Sequence, residues 1–323
     1  MSQQKTSSLK TSFNEIAKTK GDDECRDWLG GVFDAKAELA AFVASRQEGG
    51  GAGKYVGFLK GSFNFSFCIS FGDGRSDAII RFPKPGHTAT ALRDEKVSNE
   101  VRIMEYLSQH TIPLPRVHSW GSFIIMDYVA GTLLSSVLKQ PTNSDQDDVR
   151  LNPNIDDTIL DKIYHQIADY LLQLSQLTFS RIGAISKDNA TNTWSVTARP
   201  LTYNMNELAT VAGYPNDRFP TAPFDFASDY LRSVANEHLT HLWTQRNPAD
   251  DPETAQERFI ARHRSAQLIP KYCIEEAGPF IPFRDDMRPS NMLVNPETLR
   301  ITAVLDFEFT NTMPAQFAYD APW

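Results

Sequence analysis

The stretch RDDMRPSN, Arg284–Asn291, decides how this chain of 323 residues is interpreted. An apolar run, Met292–Val294, follows it directly, and a second apolar run, Ile301–Leu305, ends at Asp306. The pattern is therefore Asp286, four further residues, an Asn, a short hairpin and a second Asp that leaves a strand. This spacing is typical of phosphoryl transfer, in which one carboxylate meets the attacking hydroxyl while an Asn and another carboxylate hold magnesium. The apolar strands would fix these side chains relative to one another, and positioning supplies most of the catalysis.

The same stretch resembles the HGDxxxxN loop of the aminoglycoside phosphotransferase family, small-molecule kinases with a protein-kinase-like fold, and it looks most similar to a fungal branch. Two positions depart from the family pattern, since Arg284 stands where His is usual and Asp285 where Gly is usual. The resemblance implies that Asp286 is the catalytic base, Asn291 a magnesium ligand and Asp306 the metal-binding Asp of a DFG-like position. The alternative is an acidic surface loop between two strands.

A hairpin in the N-terminal half predicts a nucleotide-covering loop. Residues 57–71, GFLKGSFNFSFCISF, form a strand–turn–strand pattern that breaks at Gly61 and Ser62. A loop that covers phosphates needs free backbone N–H groups, and small residues favour this. We therefore expect Gly61 and Ser62 to contact the nucleotide, although an ordinary hairpin has the same pattern.

The next strand and helix predict a buried ion pair. Residues 78–82, AIIRF, are the third predicted strand, which in the kinase pattern carries a cation for the nucleotide phosphates. Arg81 is preferred for this role over Lys84, which lies between two prolines. The predicted helix over residues 95–110 has Glu100 on its apolar face, where a carboxylate needs a cation. Arg81 and Glu100 are therefore expected to pair, the alternative being a solvated glutamate at the edge of the apolar stripe.

Two further site predictions complete the kinase pattern. A strand over residues 122–126 leads into a segment that resembles the hinge between lobes, and this implies that backbone groups from Met126 to Tyr128 bind an adenine edge. Arg288, two residues after the predicted base, is expected to neutralise charge on the transferred group.

The resemblance implies an α+β, bilobal protein-kinase-like fold, with a small antiparallel β lobe that has one helix and a mainly helical large lobe. The predicted domains are a polar N-terminal tail over residues 1–53, with one amphipathic helix begun by Asp34 and a Gly-rich joint, a nucleotide-binding small lobe over residues 54–128, and a large lobe over residues 129–323. Aromatic residues within the large lobe fit either a substrate pocket or a helical core. They are Tyr203, Phe219, Phe224, Phe226, Tyr230 and Trp243.

Composition favours a cytoplasmic enzyme. Hydrophobic residues make up 41% of the chain, which is enough for a full core, and no apolar stretch approaches the roughly 20 residues that span a bilayer. Three scattered cysteines argue against a disulfide framework or a zinc cluster. A net charge of −8 argues against nucleic acid as a partner.

Two function hypotheses follow. In the first, the chain transfers the γ-phosphoryl group of ATP or GTP, with Mg²⁺, to a hydroxyl of a small molecule. In the second, it is a nucleotide-binding or regulatory module without turnover, because only 17 residues follow Asp306. A shortened large lobe would expose an apolar patch and promote self-association. The patch is expected at Phe309, Phe317, Tyr319 and Trp323.

Overall fold

The computed structural model describes residues 14–49, 51–140, 150–245 and 248–319, and within these ranges it contains eight α-helices and twelve β-strands. The helices are α1 (Glu15–Asp34), α2 (Lys36–Ser45), α3 (Arg93–Leu107), α4 (Leu134–Leu138), α5 (Asp157–Ser175), α6 (Tyr203–Thr210), α7 (Ala227–Thr244) and α8 (Pro252–Tyr272). The strands are β1 (Gly53–Lys60), β2 (Asn64–Phe71), β3 (Ala78–Pro83), β4 (Val117–Trp120), β5 (Ile124–Asp127), β6 (Thr132–Leu133), β7 (Ala184–Asp188), β8 (Thr193–Ala198), β9 (Phe280–Phe283), β10 (Met292–Val294), β11 (Ile301–Val304) and β12 (Asn311–Pro314).

The first five strands form one antiparallel sheet in the order β1-β2-β3-β5-β4. The predicted hairpin is β1–β2, and the two strands predicted to share a sheet pair directly, with Ile79 opposite Met126. Phe65, Phe67 and Ile69 alternate along β2 and are each almost fully buried, because their side chains point to the same face. This sheet is the predicted small antiparallel lobe.

Helices α1 and α2 cover that face of the sheet. Trp28 of α1 stacks on Phe65, with ring centroids 5.9 Å apart, and Phe33 contacts Phe67 at 5.8 Å. The prediction of a polar tail is therefore wrong for residues 14–34, which form a helix that is polar only on its outer side. Asp34 was also wrongly predicted to begin the next helix, since it ends α1 and Ala35 separates the two.

Helix α3 lies against the other side of the small lobe and links it to the large lobe. The predicted apolar face is buried, and Val97, Val101 and Leu107 pack in one cluster with Met292 and Val304 of the large lobe. The helix ends at Leu107, three residues before the predicted end. A helix that packs on both lobes is well placed to fix groups from each of them.

The large lobe is built around α5, whose Asp156 cap accepts a hydrogen bond from the Thr158 amide at 2.8 Å. Its strands form small antiparallel ladders, β6–β10–β11, β9–β12 and β7–β8, so the lobe has more strand than the sequence predicted. The fold is the predicted α+β, bilobal arrangement. None of the helices in the described part of the chain is long and apolar enough to cross a membrane.

Candidate active site

The predicted catalytic loop brings Asp286, Arg288 and Asn291 into direct contact. Asn291 Nδ2 donates to Asp286 Oδ2 at 2.8 Å and to the Asp286 carbonyl at 2.9 Å. Arg288 Nε lies 2.8 Å from Asp286 Oδ1. The proline at position 289 starts a short 3₁₀ turn, Pro289–Asn291, that returns the Asn toward the Asp. The side chain of Asp286 is still 42% exposed, so a substrate can reach it.

The hairpin β10–β11 places Asp306 beside this loop. Met292 pairs with Val304, and the Leu305 amide donates to the Asn291 carbonyl at 2.8 Å. Asp306 follows immediately and has a φ of +66°, a left-handed conformation that non-glycine residues rarely adopt. This backbone hydrogen bond between Leu305 and Asn291 therefore holds the two predicted metal ligands, Asn291 and Asp306, near each other.

Arg284, at the position where the family pattern has His, donates hydrogen bonds to the backbone of the Asp306 loop. Its Nε donates to the Asp306 carbonyl at 3.0 Å, and its Nη2 donates to the Leu305 carbonyl. The guanidinium also lies 4.8 Å from the ring centre of Phe307. Burial lowers the pKa of Arg284 to about 10, although the carboxylates of Asp306 and Asp286 oppose that shift. Arginine therefore provides two backbone contacts to this loop.

The predicted ion pair between Arg81 and Glu100 is present. Arg81 Nη2 lies 2.8 Å from Glu100 Oε1, and the same nitrogen donates to Asp306 Oδ1 at 2.8 Å. Burial alone would lower the pKa of Arg81, but the carboxylates of Glu100, Asp306 and Glu308 together raise it. Burial alone would raise the pKa of Asp306, but Arg81, Lys96 and Arg284 together lower it. The proposed metal ligand is therefore held in its charged form.

The turn that contains Gly61 and Ser62 differs from an open phosphate loop. The Gly61 amide donates to the Asn64 carbonyl at 3.0 Å, and Lys84 Nζ donates to the Gly61 carbonyl. Gly61 therefore has no free N–H for a phosphate, which corrects the sequence prediction for this residue. Ser62 is exposed at the tip of the turn. Lys84 thus stabilises the turn, whereas Arg81 is the cation that pairs with Glu100.

In the predicted hinge, two backbone N–H groups already have partners. The Tyr128 amide donates to the Asp77 carbonyl at 2.8 Å, and the Asp127 amide donates to the Arg116 carbonyl at 3.0 Å. Met126 is paired with β3 on one side and β4 on the other. The N–H groups of Asp127 and Tyr128 therefore complete the sheet, because a strand between two neighbours uses its backbone groups on both sides.

Sequence reasoning missed a second buried cation beside the site. Lys96 has a side chain only 1% exposed, and its Nζ lies 2.5 Å from Glu308 Oε2. Asn64 Nδ2 donates to the same oxygen at 2.8 Å. A signal was available, since Lys96, Glu100 and Ile103 recur at spacings of four and three on the inner face of α3.

The donor set suits a magnesium–nucleotide. Asn291 directs its Nδ2 to Asp286, which leaves Oδ1 as an acceptor, and the side chain of Asp306 is 25% exposed. Mg²⁺ is commonly held by one or two protein oxygens together with phosphate oxygens and water, and among the described residues no larger cluster of His, Cys, Asp and Glu with metal-binding geometry occurs. Arg81 also has a buried Nε with no hydrogen-bond partner in this part of the chain, a donor suited to phosphate.

Aromatic residues from both lobes meet next to the Asp306 loop. Phe63 of the turn lies 5.4 Å from Tyr203 of α6, and Phe309 lies 6.2 Å from Tyr203. Phe219 and Tyr230 are core residues, whereas Trp243 is 73% exposed. Of the predicted aromatic residues, Tyr203 alone is placed at the site by these contacts.

The predicted C-terminal apolar patch is only partly within the described residues. Phe309 packs with Tyr203, and Phe317 contacts Phe283, with ring centroids 5.4 Å apart. Both side chains are half-buried. The side chain of Tyr319 and the whole of Trp323 lie outside the described residues.

A bilobal fold with an Asp–Asn loop, a second Asp after a hairpin and a buried Arg–Glu pair defines the class of phosphoryl-transfer proteins. The sequence model of the phosphotransferase enzyme family (APH) matches residues 66–320, from β2 almost to the end of the chain. The chain therefore belongs to this phosphotransferase enzyme family.

Solved structures align with this chain at low sequence identity. An ethanolamine kinase from Plasmodium vivax is 14% identical, with a TM-score of 0.47, and the alignment covers 82% of this chain and 58% of that one. The aminoglycoside phosphotransferase APH(3'')-Id from Streptomyces rimosus, also solved with ADP and streptomycin, is 17% identical with a TM-score of 0.40, over 87% and 79% of the two chains. The aminoglycoside-3'-phosphotransferase of type VIII is 13% identical with a TM-score of 0.37, over 85% and 78%. A comparison with curated protein sequences gave no match.

Proposed function

We propose that this chain is a small-molecule kinase that transfers the γ-phosphoryl group of ATP or GTP to a hydroxyl group. The contact between Asn291 and Asp286, together with the bond from Leu305 to Asn291, carries the proposal. These two hydrogen bonds bring a base, an amide oxygen and the Asp306 carboxylate to one place, which is the set that phosphoryl transfer requires.

Each residue then has a chemical role. Asp286 orients the acceptor hydroxyl and accepts its proton, while Arg288 offsets the negative charge that develops on the transferred group. Arg81, fixed by Glu100, binds phosphate oxygens through its remaining donors. Asn291 and Asp306 would hold Mg²⁺, which neutralises charge on the nucleotide phosphates when it is bound.

A second candidate is a nucleotide-binding module without turnover. Both oxygens of Asp286 already have partners, since Oδ1 faces Arg288 and Oδ2 accepts from Asn291. Each carboxylate oxygen can accept a further hydrogen bond, so transfer requires that Arg288 leave one of these positions to the acceptor hydroxyl. A module in which Arg288 shields Asp286 from the acceptor would bind nucleotide and transfer nothing.

The finer assignments also belong to this proposal. We place the chain in the fungal branch of the family because of the resemblance in sequence, and we expect a cytoplasmic location. The acceptor is an unidentified hydroxyl compound, with nucleic acid and membranes not among the partners. Self-association remains a proposal that sedimentation equilibrium would test.

The direct test is a screen of a metabolite library for magnesium-dependent consumption of ATP and GTP. The matched control is Asp286→Ala, which should leave nucleotide binding in place and abolish consumption with every acceptor. Consumption by the wild-type chain that Asp286→Ala does not reduce would contradict the assigned base. Nucleotide binding without consumption across a broad library would favour the module.

A further inference from the structure

Helix α3 carries a buried charge that the proposed chemistry does not use. Lys96 lies one helical turn before Glu100, and its Nζ is 2.5 Å from Glu308 Oε2 and 3.2 Å from Asn64 Oδ1. Asn64 Nδ2 donates to the same glutamate oxygen at 2.8 Å. Each of the three side chains therefore contacts the other two, and they come from β2, α3 and the loop after β11.

Glu308 belongs to a loop whose backbone is strained. Asp306 and Phe309 have φ values of +66° and +60°, and side-chain-bearing residues keep such conformations only where the surroundings impose them. Arg284 holds the first half of this loop through two carbonyl groups. Glu308 lies in the second half, and Lys96 also lies 5.5 Å from the ring centre of Phe309.

Exposure separates this set from Asp306, the proposed metal ligand. The side chains of Lys96 and Glu308 are 1% and 9% exposed, whereas that of Asp306 is 25% exposed. A metal ligand must be reachable, and Lys96 and Glu308 instead satisfy each other. Their geometry suits support of the loop rather than direct binding.

We infer that Lys96, Asn64 and Glu308 form a positioning triad that fixes the Asp306 loop so that its carboxylate faces the magnesium–nucleotide. This inference rests on the proposed function. It assigns α3 two separate tasks, since Glu100 fixes Arg81 while Lys96 fixes the metal-binding loop. Because the triad acts through Asp306, its loss should weaken metal-dependent nucleotide binding by more than a general loss of stability would.

The test is a magnesium titration of ADP binding by calorimetry with the full chain. Lys96→Met should raise the Mg²⁺ concentration at half-saturation by about tenfold or more, the usual effect of removing an outer-shell partner. Lys96→Arg keeps a cation and should shift it far less. Glu308→Gln keeps an oxygen that can accept both hydrogen bonds but removes the charge opposite Lys96, so its midpoint should lie between those of wild type and Lys96→Met.

The matched control is Glu95→Gln on the same helix. Glu95 pairs with Arg199 at 2.6 Å, away from the Asp306 loop, so its loss disturbs α3 without touching the triad. Hydrogen exchange of the nucleotide-free chain gives a second readout, in which amides 305–309 should lose protection in Lys96→Met and keep it in Glu95→Gln. Should Lys96→Met fail to fold, Asn64→Ala removes two of the triad contacts and takes its place.

The outcomes are distinct. Equal magnesium midpoints and equal exchange protection in wild type and Lys96→Met would overturn the triad. A Glu308→Gln variant that binds magnesium–ADP as poorly as Asp306→Asn would also overturn it, since Glu308 would then be a ligand. Failure of the wild-type chain to bind magnesium–ADP would overturn the proposed function instead. The exchange comparison needs no nucleotide and still decides whether the triad holds the loop.

Discussion

One nitrogen of Arg81 serves two carboxylates and lies near a third. Its Nη2 is 2.8 Å from both Glu100 and Asp306 and 3.6 Å from Glu308. A buried arrangement of this kind is stable only while the cation is present, because carboxylates without a partner are costly to desolvate. Arg81 therefore supports the fold as well as the proposed phosphate site.

Arg81→Met should lower the free energy of unfolding by about 3–5 kcal/mol, the usual effect of removing one partner of a buried ion pair. Urea denaturation at neutral pH measures this. The control is Arg26→Met, which removes a cation whose side chain is 72% exposed and should change stability by under about 0.5 kcal/mol. Equal effects of the two substitutions would show that the Arg81 cluster is not needed for stability.

Single residues also show what the sequence could and could not predict. The Arg81–Glu100 pair was predictable because a carboxylate on an apolar helix face needs a partner and one strand cation was available. The orientation of Arg284 was not, since nothing in its neighbours indicates that its guanidinium turns back to the Leu305 carbonyl. The free N–H expected at Gly61 is absent because its amide closes a turn. The Tyr128 amide completes the sheet, and adenine binding by backbone groups from Met126 to Tyr128 stays a prediction.

At the level of elements, periodicity predicted helices and strands well where one face is uniformly apolar. Strand β3 and helix α5 follow the predicted pattern closely. Helix α1 was missed because charged and polar residues dominate its first half and Gly30 and Gly31 separate Trp28 from Phe33. The spacings of three and five residues between Cys25, Trp28 and Phe33 do not repeat regularly, and only their packing against the sheet of the small lobe shows that they share one face.

The hairpin of α7 and α8 contains a histidine that should make stability depend on pH. Burial, with Arg262, His238 and Arg258 close by, lowers the pKa of His241 to about 4, and its Nε2 is buried without a hydrogen-bond partner in the described residues. The unfolded chain therefore binds a proton between about pH 6.5 and 4 before the folded chain does, and stability is lost as pH falls through that window.

Between pH 7 and pH 5 the free energy of unfolding should fall for the wild-type chain. For His241→Gln we expect this fall to be smaller by about 1 kcal/mol, a figure that is reduced for the partial exposure of the imidazole. Urea denaturation at the two pH values measures the difference. His165→Gln, at an exposed position on α5, is the matched control and should change the pH dependence much less. The same pH dependence in wild type and His241→Gln would contradict a buried neutral imidazole.

Across the whole molecule, polar side chains tie the segment before and within α3 to the large lobe. Asn206 of α6 is fully buried, accepts from the Ala89 amide at 3.0 Å and donates to the His87 carbonyl at 2.9 Å. Arg199 and Glu95 form a further link. The overall lobe arrangement was predictable from the family resemblance, whereas these links join residues more than 100 positions apart and left no local signal.

Asn206→Ala should lower the free energy of unfolding by about 1–3 kcal/mol, because two half-buried backbone groups lose the partner that a fully buried side chain provides. Thermal and urea denaturation would measure the loss. Asn295→Ala is a suitable control, since Asn295 supports only the exposed turn between β10 and β11, at Glu297 and Thr298. An Asn206→Ala variant as stable as wild type would show that this link is not needed.

The central claim is that Asp306 binds the magnesium–nucleotide while Asp286 acts in the transfer step. Calorimetry of magnesium–ADP binding with Asp306→Asn and Asp286→Ala, each followed by assay with an acceptor from the screen, tests it most directly. Asp306→Asn should lose most of the affinity, whereas Asp286→Ala should bind as wild type and transfer nothing. Equal nucleotide affinity in wild type and Asp306→Asn, or full transfer by Asp286→Ala, would contradict the assignment.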